Sequence, residues 1–167
     1  MEAAAELYDR YAGRVYALAR RIVRNDDDAE DVVQEVFSQA WRNSTRYDPS
    51  RGTPLGWLLT ITRTRAIDTL RSRAARPDMT STVPPDSLAA ADAGDPVECA
   101  QQTAVVRAAL LSLPEPQRDA LELAYYEGLT QAEIAARLSE PLGTIKTRMR
   151  TALLSLRTRL RSGDGLP

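Results

Sequence analysis

Lys146, Arg148 and Arg150, with Thr144 and Thr147 interleaved, bring cations and short hydroxyl side chains together near the end of a 167-residue chain. Cations at this spacing can neutralise phosphates or reach guanine acceptors, and threonine is short enough to let base edges approach. From Pro141 to Arg161 there is no Asp or Glu, so Lys146, Arg148, Arg150, Arg157, Arg159 and Arg161 stand together in a chain of net charge -1. The compensating acids lie elsewhere, between Asp26 and Glu35 and in the stretch before Asp95. Charge segregated in this way points to separate surfaces with separate partners, one of them polyanionic.

The elements that must position these side chains are legible around them. In LTQAEIAARLSEPLGTIKTRMR, Thr130 and Glu133 form a capping box, and Ile134, Ala135 and Leu138 give a short helix its buried face. Ser139-Glu140-Pro141 turns the chain into a last helix lined inwardly by Ile145, Met149, Ala152, Leu153, Leu156 and Leu160. The opposite side then faces out with Thr144, Lys146, Thr147, Arg148 and Arg150. Two short helices joined by a tight turn, the second cationic, form a helix-turn-helix, whose second helix enters the DNA major groove. An ordinary helical hairpin with a solvated basic side is the competing reading of the spacing.

Composition sets the frame. Hydrophobic residues make up 43% of the chain and charged residues 27%, aromatics only 5%, and β-branched runs are absent, which predicts an all-α protein. No apolar run reaches the length of a membrane span, and MEAAAELYDRY lacks the layout of a signal peptide, so a cytoplasmic protein is expected. There is one cysteine and no histidine. The common zinc sets and the Ser-His and Cys-His nucleophile pairs therefore cannot be assembled. With no phosphate-binding glycine loop and no nucleophile elbow, the expectation is a protein that is not an enzyme and needs no metal or cofactor.

Before the helix-turn-helix, apolar residues from Leu7 to Ile22 recur at helical spacing over 6–24. The Asn25-Asp26-Asp27-Asp28 cluster then caps a second helix with a stripe of Ala29, Val32, Val33, Val36, Phe37, Ala40 and Trp41. Asp28, Glu30, Asp31, Gln34 and Glu35 are left on its other faces. NSTRYDPSRGTP reads as a loop, and Trp57 to about Arg73 as a basic helix whose apolar period is broken by threonines and arginines. Residues 77–95, rich in Pro, Ser, Ala and Asp, read as a flexible acidic linker, after which Asp95-Pro96-Val97-Glu98 restarts helix. The chain is thus expected to comprise two small helical domains, 1–76 and 96–163, the second carrying the helix-turn-helix.

Three stretches resemble bacterial RNA polymerase sigma factors of the extracytoplasmic-function subfamily of the sigma-70 family. They are DAEDVVQEVFSQAW from Asp28, WLLTITRTRAIDTLRSR from Trp57, and LPEPQRDALELAYYEGLTQAEIAARLSEPLGTIKTRMRTAL from Leu113. They fall in the family's order, and the resemblance extends over nearly the whole chain. The resemblance implies that residues 1–76 act as sigma region 2 and 96–163 as region 4. Asp28, Glu30, Asp31, Gln34 and Glu35 would dock on core RNA polymerase, a partner with β′ and β subunits. Tyr47, Arg51, Thr53, Trp57, Arg63, Thr64 and Arg65 would take the separated strand of the promoter -10 element. Gly143, Thr144, Lys146, Thr147, Arg148 and Arg150 would read the -35 element as duplex. An anti-sigma factor, often membrane-anchored in this family, is the further implied partner, with no small-molecule substrate. The chain departs from the family's pattern at Thr60, Thr64 and Thr69, where relatives often carry Arg, Asn and Tyr, which leaves no amide at Thr64 to capture a base.

A second class of function also fits the C-terminal motif: a free-standing transcriptional regulator that binds its operator without polymerase. The basic third helix and the acidic second helix speak against it, because a simple sensing or dimerisation module needs neither. A helical adaptor without DNA binding would leave the clustered cations unexplained.

Overall fold

In the computed structural model, residues 2–75 and 97–162 are described. The linker expected at 77–95 and the Asp95-Pro96 helix start lie outside them. The chain divides into two compact units, Met1–Ala93 and Gly94–Pro167, and all the described regular structure is helical.

The first unit contains α1 (Glu2–Val23), α2 (Asp26–Arg42) and α3 (Pro54–Ala74), each packed against the other two. Its core takes Ala29, Val32, Val33, Val36 and Ala40 from the stripe expected of α2, Val15 and Ile22 from the periodic residues of α1 with Ala19 beside them, and Leu58, Ala66 and Ile67 from α3, where no continuous apolar face was expected. Asn25 caps α2 as expected, its side chain accepting from the Asp28 N–H at 3.0 Å, and the three aspartates of the first turn meet the positive end of the helix. Between α2 and α3 the chain makes two single 3-10 turns, Ser44–Arg46 and Pro49–Arg51. Helix α3 starts at Pro54, three residues before the expected Trp57, because Thr53 accepts from the Gly56 N–H and Pro54 fits the first helical position.

Two expectations for this unit are corrected. Trp41 is not in the core; it is 56% exposed, and Phe37 is half-buried against Tyr8, with ring centroids 4.8 Å apart. The threonines of α3 do not break its inner face. Thr62 is fully buried, and its hydroxyl donates to the Leu58 carbonyl at 2.8 Å, so the helix backbone satisfies the polar atom and the methyl group packs as a small hydrophobe.

The second unit contains α4 (Val97–Leu111), α5 (Glu115–Tyr126), α6 (Gln131–Leu138) and α7 (Leu142–Ser162). Ala120, Ile134, Ala135 and Ile145 form its core, supported by Leu123, Ala124, Leu129, Leu138 and Met149. Gly128 follows α5 with φ 65, a left-handed conformation that glycine adopts without a side-chain clash. The capping box of α6 is present in both directions: the Glu133 N–H reaches Thr130 Oγ1 at 3.3 Å, and the Thr130 N–H reaches Glu133 Oε2 at 2.7 Å. The inner face expected for α7 holds only over its first turns. Ile145 and Ala152 are buried, but Leu153 is 56% and Leu160 43% exposed; Leu153 follows the fully buried Ala152 and lies about 100° further round the helix, off the covered side.

Candidate functional site

The turn between α6 and α7 is fixed by backbone bonds at both of its ends. Ser139 adopts a left-handed conformation, φ 54, its N–H returns to the Ala136 carbonyl at 3.3 Å, and the Glu140 N–H returns to the Ala135 carbonyl at 2.9 Å. This pair of returning bonds is the Schellman arrangement that ends a helix. On the far side, the Thr144 and Ile145 N–H groups both reach the Pro141 carbonyl, at 2.9 and 3.2 Å. The angle between the two helices is therefore set by the backbone, with Ile134 and Ile145 buried between them.

On the outer side of α7, Gly143, Lys146, Thr147 and Arg150 are exposed and Thr144 is half-buried. No Cβ placed on Gly143 would meet another atom, so this position leaves open space beside the helix start. Thr147 donates to the Gly143 carbonyl at 2.9 Å, which leaves its hydroxyl oxygen able to accept a further bond.

Arg148 differs from the outward placement expected for it. Its Nη1 and Nη2 meet Glu140 Oε1 and Oε2, both at 2.7 Å, and its side chain is 24% exposed. The guanidinium thus lies along the turn in a two-pronged ion pair instead of projecting freely with Lys146 and Arg150.

In the first unit, the residues expected at a separated DNA strand fall into two groups. Tyr47 and Trp57 are brought together with ring centroids 5.4 Å apart, and Tyr47 donates its hydroxyl to the Gly52 carbonyl at 3.0 Å. They share an apolar pocket of about 310 Å³ with Leu7, Tyr8, Phe37 and Trp41. Arg51 and Thr64 are exposed, and Arg63 is half-buried. Thr53 has its oxygen engaged as the α3 cap, and Thr64 donates to the Thr60 carbonyl at 3.0 Å. Arg65 points instead into the first unit: its Nε donates to Gln39 Oε1 on α2 at 2.8 Å and lies 4.0 Å from Glu35 Oε2.

Along α2, Glu30, Asp31, Gln34 and Glu35 are exposed, and Trp41, two helical turns beyond Gln34, lies on the same side and is exposed too. Asp28 is the exception among the acids expected there. It is half-buried beside Arg73 of α3, Nη1 to Oδ2 2.6 Å, and serves packing within the unit. A further staple closes the α1–α2 corner, where Tyr16 donates to Asp26 Oδ1 at 2.9 Å and the Arg20 Nε donates to the same oxygen at 2.5 Å. These bonds to the charged form hold the Asp26 carboxyl below its ordinary range, the Arg20 bond first and the Tyr16 bond second.

Sequence reasoning missed two residues that the structure makes important: Glu140 and Gln39. Glu140 could have been found, since it is the acid nearest the acid-free basic segment. Gln39 carries no local signal, because its role depends on which helix packs beside it; Tyr8, expected on the periodic apolar face of α1, is instead 48% exposed beside Phe37.

The Sigma-70 region 2 family matches residues 7–76, and the Sigma-70, region 4 family matches residues 109–158. The chain is 41% identical over 162 residues to the ECF RNA polymerase sigma factor SigK of Mycolicibacterium vanbaalenii, covering 93% of this chain and 81% of the relative. It is 40% identical over 161 residues to the protein of the same name in Mycobacterium tuberculosis, covering 92% and 83%. Among solved structures, Rhodobacter sphaeroides SigE in complex with the anti-sigma ChrR is 34% identical, with 93% of this chain and 88% of that one covered and a TM-score of 0.45.

Proposed function

The chain belongs to the extracytoplasmic-function sigma factors of the sigma-70 family, and from that membership we propose how its surfaces divide the work of starting transcription. As a member, it directs promoter-specific transcription initiation together with core RNA polymerase. It acts by binding and positioning, performs no bond chemistry of its own, and works in the cytoplasm. Among the described residues no helix is long and apolar enough to cross a membrane.

Residues 1–76 serve as region 2. The exposed side of α2, with Glu30, Asp31, Gln34 and Glu35, is the docking surface for a basic patch of the polymerase β′ subunit; what supports this is an exposed acidic set on a helix whose Ala29, Val32, Val33, Val36 and Ala40 are buried in the core. The loop after α2 and the start of α3 receive the separated -10 strand. Unstacked bases need aromatic faces and phosphate partners in place of their neighbours, and Tyr47, Trp57, Arg51 and Arg63 can supply both. Residues 96–163 serve as region 4, with α7 in the major groove of the -35 duplex. Gly143 and Thr144 lie at the close approach, Lys146 and Arg150 serve phosphates or guanine edges, and Thr147 is an acceptor with a methyl group. The 77–95 stretch joins the two regions. Family membership also supports an anti-sigma factor as the restraining partner.

The observation that carries this reading is the backbone-fixed turn that sets an acid-free helix, with Lys146, Thr147 and Arg150 exposed, at the edge of the second unit. Reconstituted transcription with core polymerase tests the division of labour. Lys146→Glu should abolish promoter binding with holoenzyme assembly intact, and Asp31→Lys should impair assembly. Loss of assembly in Lys146→Glu, or normal assembly in Asp31→Lys, would break the proposed division.

A further inference from the structure

The Glu140–Arg148 pair sits where a helix-turn-helix should meet phosphates, and it runs against what a DNA-binding surface needs. Glu140 occupies the second position past the end of α6, where a hydrophobic contact commonly accompanies the returning backbone bonds. Here a carboxylate stands instead, its backbone fixed by the 2.9 Å bond to Ala135 and its side chain 32% exposed. It faces Arg148 in two parallel bonds of 2.7 Å, a geometry that matches guanidinium to carboxylate and gives both charges strong partners. The same guanidinium geometry matches a phosphate. Glu140 thus competes with the DNA backbone for Arg148, and as an anion at the groove edge it also repels that backbone.

Building on the reading of α7 as a duplex-binding helix, we infer that Glu140 is a positioning residue that withholds Arg148 from DNA. The chain docks on duplex with Lys146 and Arg150 while Arg148 stays on the turn. Glu140 thereby keeps the free chain's grip on DNA weak and keeps discrimination with the groove contacts. Arg148 is the reserve: it becomes a phosphate ligand when the carboxylate is removed or neutralised.

The salt dependence of binding counts phosphate contacts, since each contact formed by a cation releases a counterion and steepens the slope of log K against log salt by about 0.9. The full-length chain and its Glu140→Gln variant are titrated against a short mixed-sequence DNA duplex across a salt series, followed by fluorescence anisotropy. Glu140→Gln should bind severalfold more tightly at low salt, with a slope steeper by about one contact. Glu140→Ala should do the same without an amide that could still engage Arg148. Adding Arg148→Ala to Glu140→Gln should return the slope to that of the unaltered chain.

A purely structural role for the pair would loosen the turn on Glu140 replacement and leave the slope unchanged or shallower, which overturns the inference. A double variant as steep as Glu140→Gln overturns it too, because the recruited cation would not be Arg148. Absence of duplex binding by every form would instead overturn the duplex-binding reading of α7 on which the inference rests.

Discussion

Asp28 at the start of α2 lies with its Oδ2 2.6 Å from Nη1 of Arg73 near the end of α3, and this contact separates folding from docking on the acidic side of the first unit. The contact is ionic: Oδ2 has no aligned hydrogen-bond donor, and it is buried. Removing one partner leaves a half-buried charge. Asp28→Ala should therefore cost about 1–2 kcal/mol of stability, between the values for exposed and buried pairs. Asp31→Ala, on an exposed side chain, should leave the melting temperature unchanged and weaken core polymerase binding. Thermal melts beside a competition assay for core polymerase check both; a wild-type melting temperature for Asp28→Ala would contradict the structural role.

The Tyr47 ring stands against Trp57, and Tyr47 ties the loop to Gly52. Tyr47→Ala should weaken holoenzyme binding to a single-stranded -10 oligonucleotide by about 1–3 kcal/mol, the range for loss of an aromatic–base contact. Tyr47→Phe should retain most of the affinity and lose the tie to the loop. Equal effects of the two substitutions would show that the hydroxyl, and not the ring, carries the contact.

Lys146 is exposed on the outer side of α7. If it meets a phosphate, Lys146→Ala should weaken binding to all duplex sequences alike and reduce the salt slope by about 0.9. If it instead reads a guanine, the loss should be confined to one base position and amount to about 1–3 kcal/mol. Anisotropy titrations over sequence variants and salt distinguish the two.

Asp26 receives bonds from Arg20 and Tyr16 that favour its charged form, so its folded value lies below its unfolded one. Its stabilising contribution is therefore present above the ordinary aspartate range and is lost as pH falls through the lowered folded value. Asp26→Asn should be less stable than wild type near neutral pH, and the two should converge in acid. The group is exposed, so the difference should be small; melting curves at neutral and acid pH provide the comparison.

Most of the fold was legible because its signals are local. Asn25, and Thr130 with Glu133, each announce a helix boundary within a few residues of the bond that makes it, whereas Thr53, read as loop, proves to be the cap of α3. The stripe of α2 was legible down to Ala40, whereas Trp41 was misplaced because periodicity marks a face without saying where its neighbours end. Leu153 of α7 was misplaced because a sequence stripe is wider than the side of the helix that its neighbours cover. The site was legible in composition and less so in geometry. Arg65 and Arg148 are ordinary members of basic segments by sequence, and only packing shows that Gln39 and Glu140 hold them. Such pairings join elements distant in the chain or folded across a turn, so residue type and spacing leave them undetermined.

The division into a polymerase-docking unit and a duplex-reading unit is tested most directly by transcription from a promoter library with purified core RNA polymerase, with and without this chain. Transcripts should appear only when the chain is present and should share two spaced upstream elements. Library transcription indifferent to the chain, together with tight duplex binding by the chain alone, would contradict it and identify a free-standing regulator instead.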